Sequence, residues 1–360
     1  MKNPLRLLLK ASRLLRKKPI SAALALQRLA LASVPGPKRV KTAKAGAKRK
    51  SLAPTTRPAR PAPGTFVDGM FRCPQGQLAY KLYTPQGSAR RKLPLIVMLH
   101  GCAQSAADFA AGTGMNALAD EQGFLVLYPQ QSALANLNRC WNWHRHGDRK
   151  RGGGEVAMIA GLARHIIAAC KANPARVYIA GLSAGAIAAA VAGAAYPDIF
   201  AAVGVHSGLV AGDTNSLRGA LSAMRSGAAP AATGKAARPL PTILFQGDRD
   251  KVVHPSNAVS FVDVLRRSSP SPLIDLAQSG RSGGGREFTR TIYRLGKDMP
   301  LLEEWIVHGN GHAWSGGTSR GSFTDPAGPD ASREMVKFFL ARKKAARMAR
   351  SVVSGGKTPR

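Results

Sequence analysis

Short apolar runs alternate with segments of helical periodicity through the middle of the chain. Continuous apolar runs are typical of strands covered on both faces, and they occur at Leu93–Leu99, Gly123–Tyr128, Arg176–Ala180, Phe200–Val205, Thr242–Phe245 and Leu302–Val307. An earlier strand is indicated by the alternation in Gln77–Tyr83. Helices are indicated at Glu155–Lys171, Ala184–Ala195 and Arg333–Lys344. This order predicts an α/β fold with a mostly parallel central sheet and helices on both faces.

The ends of the chain differ from this middle part in composition. Residues 1–64 contain no Asp or Glu and end in a stretch rich in Pro, Ala, Lys and Arg, which predicts a largely disordered segment and linker. A folded domain is therefore expected over 65–345, followed by a basic disordered tail over 346–360. The segment 211–239 is rich in Ala, Gly and Ser with little periodicity, and we interpret it as either an insertion over the site or a surface excursion.

The charge of the chain is strongly positive and is concentrated at its ends. There are 53 Lys and Arg against 19 Asp and Glu, which gives a formal net charge of +34. Basic ends attract polyanions such as a granule surface or an anionic membrane, whereas the alternative is a solvated tail that keeps the protein soluble. We expect no specific nucleic-acid partner, because charge alone does not select one.

The N-terminal segment allows two interpretations. Lys2–Lys18 resembles the basic region of a secretion signal, and Pro19–Val34 is fairly apolar but is interrupted by Arg28. The alternative is an amphipathic basic segment that lies on a surface. No apolar run in the sequence is long enough to predict a transmembrane helix.

The sequence Gly181-Leu182-Ser183-Ala184-Gly185 fits the pattern G-x-S-x-G. A buried strand precedes it and a helix of small residues follows it, which is the setting of the nucleophile elbow in the α/β-hydrolase fold. There Ser183 would adopt a strained conformation at the helix N-terminus, where the helix dipole favours developing negative charge. Gly181 and Gly185 would be required because a side chain at either position would collide with a neighbouring strand or helix.

A serine nucleophile needs a base and a carboxylate that orients the base. In this fold the expected chain order is Ser, then Asp or Glu, then His. Asp250 follows the strand at Thr242–Phe245 and is our choice for the acid, with Asp248 as the competing candidate. His312 follows the strand at Leu302–Val307 and is our choice for the base. We interpret His206, which ends a strand, as a buried and hydrogen-bonded residue.

Acyl transfer also needs hydrogen-bond donors for the oxyanion of the tetrahedral intermediate. The backbone N–H of Ala184 and of Cys102, in the loop after an early strand, are the predicted donors. Cys102 and Cys140 both lie in loops near the proposed site, so a disulfide between them is one interpretation that the sequence alone does not decide. The cysteine spacing matches no zinc site, and no metal or other cofactor is expected.

Three tryptophans lie in the motifs around the proposed site. We predict that they line an apolar cleft for substrate, with core or rim packing as the alternative; they are Trp141, Trp143 and Trp314.

Several of these motifs together carry a family resemblance. The segments LHGCAQSAADFAAGTGMNALADEQGFLVLYPQQ, CWNWH, GLSAGA, GVHSG, GDRDKVVHPSN and GHAWSGG resemble the poly(3-hydroxybutyrate) depolymerase family of esterases, over about Phe71 to Phe339. The resemblance implies a catalytic triad of Ser183, Asp250 and His312, and it supports Cys102 in the oxyanion region.

The same resemblance implies a substrate class and a location. It implies a serine esterase acting on polyhydroxyalkanoate polymer or oligomers, or on related feruloyl and acetyl esters. It favours an extracellular protein, with a cytoplasmic, granule-associated protein as the alternative. A different class of function also stays open, namely a granule- or polyanion-binding protein that has a hydrolase fold and no activity.

Overall fold

The computed structural model describes residues 64–87, 92–210, 217–227 and 240–344. The predictions for the basic N-terminal segment, for the C-terminal tail and for most of 211–239 lie outside these residues. The domain boundaries at 65 and 345 therefore stay predictions.

Within these described ranges, ten strands form one sheet, and two short strands form a separate pair. The strands of the large sheet are β1 (Thr65–Cys73), β2 (Gly76–Thr84), β3 (Leu95–Leu99), β4 (Leu125–Gln130), β5 (Val177–Leu182), β6 (Ala202–His206), β7 (Thr242–Gly247), β8 (Ile274–Arg281), β9 (Glu287–Arg294) and β10 (Leu302–Val307). The short pair consists of β11 (Trp314–Ser315) and β12 (Thr324–Asp325).

The centre of the large sheet is parallel and its two sides are antiparallel. The strand order is β1-β2-β4-β3-β5-β6-β7-β10-β9-β8. Neighbouring strands from β4 through β10 run parallel. The pairs β1–β2, β2–β4, β10–β9 and β9–β8 are antiparallel. All central strands therefore end at the same edge of the sheet, where ligands bind in open α/β sheets.

Helices cover both faces of the parallel strands. They are α1 (Ala106–Thr113), α2 (Met115–Gln122), α3 (Gly154–Ala169), α4 (Ala184–Ala195), α5 (Leu217–Ser226), α6 (Ser256–Ser268) and α7 (Ala331–Leu340), with a short 3₁₀ helix at His146–Asp148. Side chains of α3, α4 and α6 share one apolar core with one face of the sheet. Side chains of α1, α2 and α7 share a second core with the other face.

The alternation of strand side chains divides the sheet between these two cores. In β5, Val177 and Ile179 belong to the first core, whereas Tyr178, Ala180 and Leu182 belong to the second. Because successive side chains of a strand point to opposite faces, continuous apolar runs are needed where both faces are covered. The prediction of a mostly parallel sheet with helices on both faces is confirmed.

The largest difference from the prediction lies at the side of the sheet formed by β9 and β8. The hairpin β8–β9 was not predicted, because its residues are mostly exposed or half-buried and rich in polar side chains. Strand β1 has the same character, since much of it is exposed. Antiparallel strands at the sides of a sheet need no continuous apolar run, so the pattern that identified the central strands could not identify these.

The packing of α7 on the sheet gives a test of the second core. Phe339 is fully buried and stacks on Tyr178 of β5, with ring centroids 5.0 Å apart. We expect Phe339→Ala to lower the free energy of unfolding by about 3–5 kcal/mol, through lost contacts and the cavity left behind. Urea unfolding followed by circular dichroism measures the change. The control is Lys337→Ala on the exposed face of the same helix, where a change above about 0.5 kcal/mol would contradict this assignment of faces.

Candidate active site

Ser183 lies in a sharp turn between β5 and α4. Its backbone angles are φ 56° and ψ −124°, a region that residues with a side chain rarely occupy. Its backbone N–H donates to the carbonyl of His206 at the end of β6 at 2.9 Å. Strand, turn and helix are therefore arranged as predicted for a nucleophile elbow.

The two glycines of the motif are required by contact distances. A Cβ at Gly185 would lie 2.2 Å from the carbonyl oxygen of Leu99 and 2.5 Å from that of His100. A Cβ at Gly181 would lie 2.4 Å from the backbone carbon of Gly185 and 2.7 Å from the Leu99 carbonyl oxygen. These contacts are with backbone, which has little freedom to move away, so the elbow closes against β3 only with glycine at both positions.

The hydroxyl of Ser183 is not engaged elsewhere. The residue is 5% exposed, and it precedes the first turn of α4, whose N–H groups and dipole favour negative charge. Within the described ranges, Ser183 Oγ has no hydrogen-bond partner. Catalytic hydrogen bonds are often long before substrate binds.

Asp250 and His312 form a hydrogen-bonded pair across two loops. Asp250 follows β7 and His312 follows β10, which is its parallel neighbour. His312 Nδ1 donates to Asp250 Oδ2 at 2.7 Å. The Asp250 side chain is fully buried, and its Oδ1 accepts the backbone N–H groups of Val252 and Val253 at 2.9 Å each. This pairing fixes the tautomer that leaves His312 Nε2 free to accept a proton.

The pKa of Asp250 lies below its ordinary value. Burial alone would raise this pKa, but the hydrogen bond and charge of His312 and the N–H groups of Val253 and Val252 outweigh burial. Asp250 is therefore ionised at neutral pH, as a carboxylate that orients a histidine must be.

Asp248, the competing acid, has a different partner. Its Oδ2 lies 3.1 Å from His308 Nδ1, and its Oδ1 accepts the N–H of Gly309 at 2.7 Å. His308 Nε2 also lies 3.0 Å from Thr289 Oγ1. Geometry thus favours Asp250 over Asp248 as the partner of His312. Asp248 and His308 thus form a second Asp–His pair.

His206 lies between the elbow and the loop that carries His312. Its carbonyl accepts from Ser183 N–H, and its Nε2 accepts the backbone N–H of Ser315 at 2.9 Å. Its ring stacks between Phe245 and Trp314. Burial, and secondarily the charge of His312, lowers the pKa of His206 to about 3. The interpretation of His206 as a buried, hydrogen-bonded residue is confirmed.

The loop that contains Cys102, one of the two predicted oxyanion donors, is held in place by several contacts. Gln104 Oε1 accepts the N–H of Gly101 at 2.9 Å, and the indole of Trp141 donates to the carbonyl of His100 at 3.1 Å. Cys102 and Cys140 form a disulfide. No described group accepts the backbone N–H of Cys102 or of Ala184. Both predicted donors are therefore available to a ligand.

Sequence reasoning missed a buried carboxylate behind this loop. Glu155 in the first turn of α3 accepts from Gln131 Nε2 at 2.6 Å, and from the backbone and side chain of Asn142 at 2.7 and 2.6 Å. Gln131 N–H in turn donates to His100 Nε2 at 3.1 Å. An acid in the first turn of a helix ordinarily indicates a favourable interaction with the helix dipole, so the pattern gave no sign of this network.

The structure corrects the prediction for the three tryptophans. Trp141 and Trp314 are 1% exposed and Trp143 is 5% exposed. The indole of Trp314 donates to Ser332 Oγ at 3.0 Å, within the core. Side chains this deeply buried support the loops of the site from beneath and do not line an open cleft, because no apolar face is left for substrate.

Among the described residues, no three His, Cys, Asp or Glu side chains form a cluster that would hold a metal ion. None of the helices in the described ranges is both long and apolar enough to cross a membrane.

Solved structures with the same architecture identify the fold. The acetyl xylan esterase from Aspergillus awamori is 18% identical, has a TM-score of 0.56, and aligns over 77% of this chain and 99% of that chain. The ten-stranded sheet with its elbow is an α/β-hydrolase fold.

Sequence comparison identifies the family. The model of the esterase PHB depolymerase family matches residues 78–290, so the chain belongs to this family. Poly(3-hydroxyalkanoate) depolymerase C of Paucimonas lemoignei is 34% identical over 248 residues, or 66% of this chain and 58% of that protein. Poly(3-hydroxybutyrate) depolymerase of Ralstonia pickettii is 29% identical over 272 residues, or 71% of this chain and 53% of that protein. The chain thus spans little more than half the length of these two relatives.

The close contact at the elbow predicts the effect of one added methyl group. Gly185→Ala would place a Cβ against two backbone carbonyls, and we expect it to lower the free energy of unfolding by about 3 kcal/mol or more. The matched control is Gly147→Ala, because a Cβ there would meet no atom within 4 Å. Urea unfolding of both variants tests the contact, and equal stability of the two would refute it.

Two buried histidines predict how stability depends on pH. Burial lowers the pKa of His206 to about 3 and that of His100 to about 4, from an ordinary 6.5. Each stays neutral in the folded state and becomes protonated in the unfolded state, so stability falls as pH falls below 6.5. We expect a loss of about 2 kcal/mol per histidine between pH 6.5 and 5.0.

The measurement is urea unfolding at several pH values in that window. His206→Gln keeps a polar side chain but cannot be protonated, so its stability should fall by about 2 kcal/mol less over the window. A variant whose pH dependence equals that of the wild type would show that His206 is not the neutral buried group described here.

Proposed function

We propose that this protein is a serine esterase that hydrolyses carboxylic esters through an acyl-enzyme on Ser183. The observation that carries the proposal is the Asp250–His312 hydrogen bond at the same sheet edge as an elbow serine. The elbow follows β5 and the acid and base follow β7 and β10, so all three residues lie at the carboxyl ends of parallel strands. Family membership supports the same chemistry.

The proposed reaction assigns one step to each residue. His312 Nε2 takes the proton of Ser183 Oγ as the oxygen attacks the ester carbonyl. The leaving alcohol receives that proton as the tetrahedral intermediate collapses to an acyl-enzyme. Water then attacks the acyl group by the same route, which releases the acid and restores Ser183. Asp250, ionised and buried, holds the imidazole and stabilises its charged form.

The oxyanion of each tetrahedral intermediate would be bound by backbone donors. We assign this role to the N–H groups of Cys102 and Ala184, which are unoccupied in the described structure. Loss of one such donor typically costs about 10²–10³ in rate. The disulfide and the Gln104 hydrogen bond keep the Cys102 loop in place before substrate arrives, which is the preorganisation that this kind of stabilisation needs.

We propose polyhydroxyalkanoate, as polymer or oligomer, as the substrate class. Support comes from the names of the two depolymerase relatives, although the chain covers only part of each. Feruloyl or acetylxylan esters are the alternative within the same chemistry. We also propose an extracellular location, which the Cys102–Cys140 disulfide supports because such bonds persist in oxidising compartments.

Hydrolysis of p-nitrophenyl butyrate by wild type and variants tests the chemistry. We expect Ser183→Ala to lower kcat by about 10⁴-fold or more, and Asp250→Asn by about 10⁴-fold through loss of the correct histidine tautomer. Retention of activity by Ser183→Ala, from a folded sample, would overturn the proposal.

Asp248→Asn is the matched control for the choice of acid. An amide at this position still accepts the N–H of Gly309 and donates to His308, so we expect activity within about tenfold of wild type. A larger loss in Asp248→Asn than in Asp250→Asn would reverse the assignment. A panel of poly(3-hydroxybutyrate), its oligomers, methyl ferulate and acetylated xylan then ranks the substrate classes.

A further inference from the structure

A buried carboxylate that the proposed reaction does not use lies behind the loop at 100–105, which we call the oxyanion loop because it contains Cys102. Glu155, in the first turn of α3, is 6% exposed. Its Oε1 accepts from Gln131 Nε2 and Asn142 Nδ2 at 2.6 Å each, and its Oε2 accepts the backbone N–H of Asn142 at 2.7 Å. All three of these donors are neutral. An ionised carboxylate accepts at both oxygens, as this arrangement requires.

The stability of the fold does not account for a charge at this position. Burial raises the pKa of Glu155 above its ordinary value, and the hydrogen bonds from Gln131 and Asn142 offset only part of that effect. An acid whose pKa is raised by folding makes the folded state less stable at neutral pH, where the group is ionised. The N-terminus of α3 reduces this effect because it favours negative charge. The reason for the carboxylate therefore lies in the segments that it holds.

Glu155 holds the segment that is bonded to the predicted oxyanion donor. Asn142, which donates two of the three hydrogen bonds, lies two residues after Cys140, the disulfide partner of Cys102. The third donor, Gln131, also donates from Nε2 to the carbonyl of Cys140 at 3.1 Å. Both contacts fix the position of Cys140, and through the disulfide they restrain Cys102.

The residues held by Glu155 also reach the oxyanion loop through two hydrogen bonds to His100. The indole of Trp141 donates to the carbonyl of His100 at 3.1 Å. The backbone N–H of Gln131 donates to His100 Nε2 at 3.1 Å. The loop is thus restrained at His100 and again at Cys102, two residues later. Such restraint matters because an oxyanion donor must lie within about 2.7–3.1 Å of the oxyanion.

We propose that Glu155 is a positioning residue that keeps the backbone N–H of Cys102 aimed at the oxyanion of each tetrahedral intermediate. The proposal rests on the esterase function proposed above, and it adds a residue on which that function depends. Because Glu155 is buried behind the oxyanion loop, it acts through the disulfide and through the hydrogen bonds to His100. Its replacement is therefore expected to weaken binding of the oxyanion more than binding of the ester.

Glu155→Gln tests the proposal with little change in side-chain volume. A glutamine has one acceptor oxygen, so its amide NH₂ would face a donor that the carboxylate now accepts. Loss of an oxyanion donor typically costs about 10²–10³ in rate, so for a misaligned donor we expect kcat for p-nitrophenyl butyrate to fall about 10–100-fold. KM should stay within about twofold of wild type, because the lost interaction belongs to the transition state.

Inhibition by an alkyl trifluoromethyl ketone separates positioning from loss of folded protein. Ser183 Oγ adds to the ketone carbonyl, its proton passes to His312 Nε2, and the carbonyl oxygen becomes an anion that the oxyanion donors bind. We expect Ki to rise in Glu155→Gln by about the factor by which kcat/KM falls. A smaller number of folded molecules would lower the rate and leave Ki unchanged, so an unchanged Ki would overturn the proposal.

Glu304→Gln is the matched control, because Glu304 is also a buried glutamate. It is 8% exposed in β10, its Oε2 accepts the hydroxyl of Tyr293 at 3.1 Å, and burial raises its pKa. The oxyanion loop follows β3, which three strands separate from β10 in the sheet. We expect kcat and Ki of this variant to stay within about twofold of wild type, since distant sites act independently. An equal rise of Ki in both variants would overturn the proposal.

Gln131→Met covers the case in which Glu155→Gln does not fold. It keeps the carboxylate and the approximate side-chain size, and it removes the donor to Glu155 and to the carbonyl of Cys140. We expect Ki for the trifluoromethyl ketone to rise about three- to tenfold, as the loss of one hydrogen bond implies. A folded Gln131→Met protein with the Ki of wild type would contradict the positioning role.

Failure of the esterase proposal would be distinguishable from failure of the positioning role. A folded wild-type protein that hydrolyses no p-nitrophenyl ester would refute the esterase function, and the role of Glu155 with it. A wild-type protein that hydrolyses the ester, with kcat and Ki unchanged in Glu155→Gln, would refute the role of Glu155 alone.

Discussion

The close approach of α4 to β3 and β5 is the constraint on which the rest of the structure depends. There is no room for a single added carbon at Gly181 or Gly185. The same closeness continues along α4, where a Cβ at Gly193 would lie 2.5 Å from Val203 of β6. It accounts for a helix made almost entirely of Ala and Gly. The small residues of the motif and of α4 permit the strained turn at Ser183.

The parallel centre of the sheet then brings the other groups of the proposed site to the sheet edge at which Ser183 lies. Strands β5, β6, β7 and β10 are consecutive neighbours, so their following loops meet at one edge. His206 contributes from the strand between the elbow and the acid, bonding to both Ser183 and the His312 loop while staying neutral. Because His206 carries no charge, it fixes these positions without competing with His312 for Asp250.

The sequence was informative where both faces of an element are buried, or where a turn requires glycine. The central strands and the elbow follow from such local requirements. Burial of the tryptophans could not be predicted. A tryptophan in an active-site motif can line a cleft or pack beneath a loop, and the sequence is the same in both cases. The network of Glu155, Gln131 and Asn142 joins separate segments, and only the fold brings its members together.

The second Asp–His pair, Asp248 and His308, bears on the structural role of the first pair, Asp250 and His312. Asp248 accepts from Gly309, and the backbone of Arg249 donates to the carbonyl of Asn310 at 3.0 Å, so the loops after β7 and β10 are tied independently of Asp250. The Asp250–His312 hydrogen bond is therefore not needed to hold the two loops together. In the proposed reaction His312 gains and loses a proton at each step. Because other hydrogen bonds hold the two loops, the charge of His312 can change in this proposed reaction without moving His312 away from Ser183.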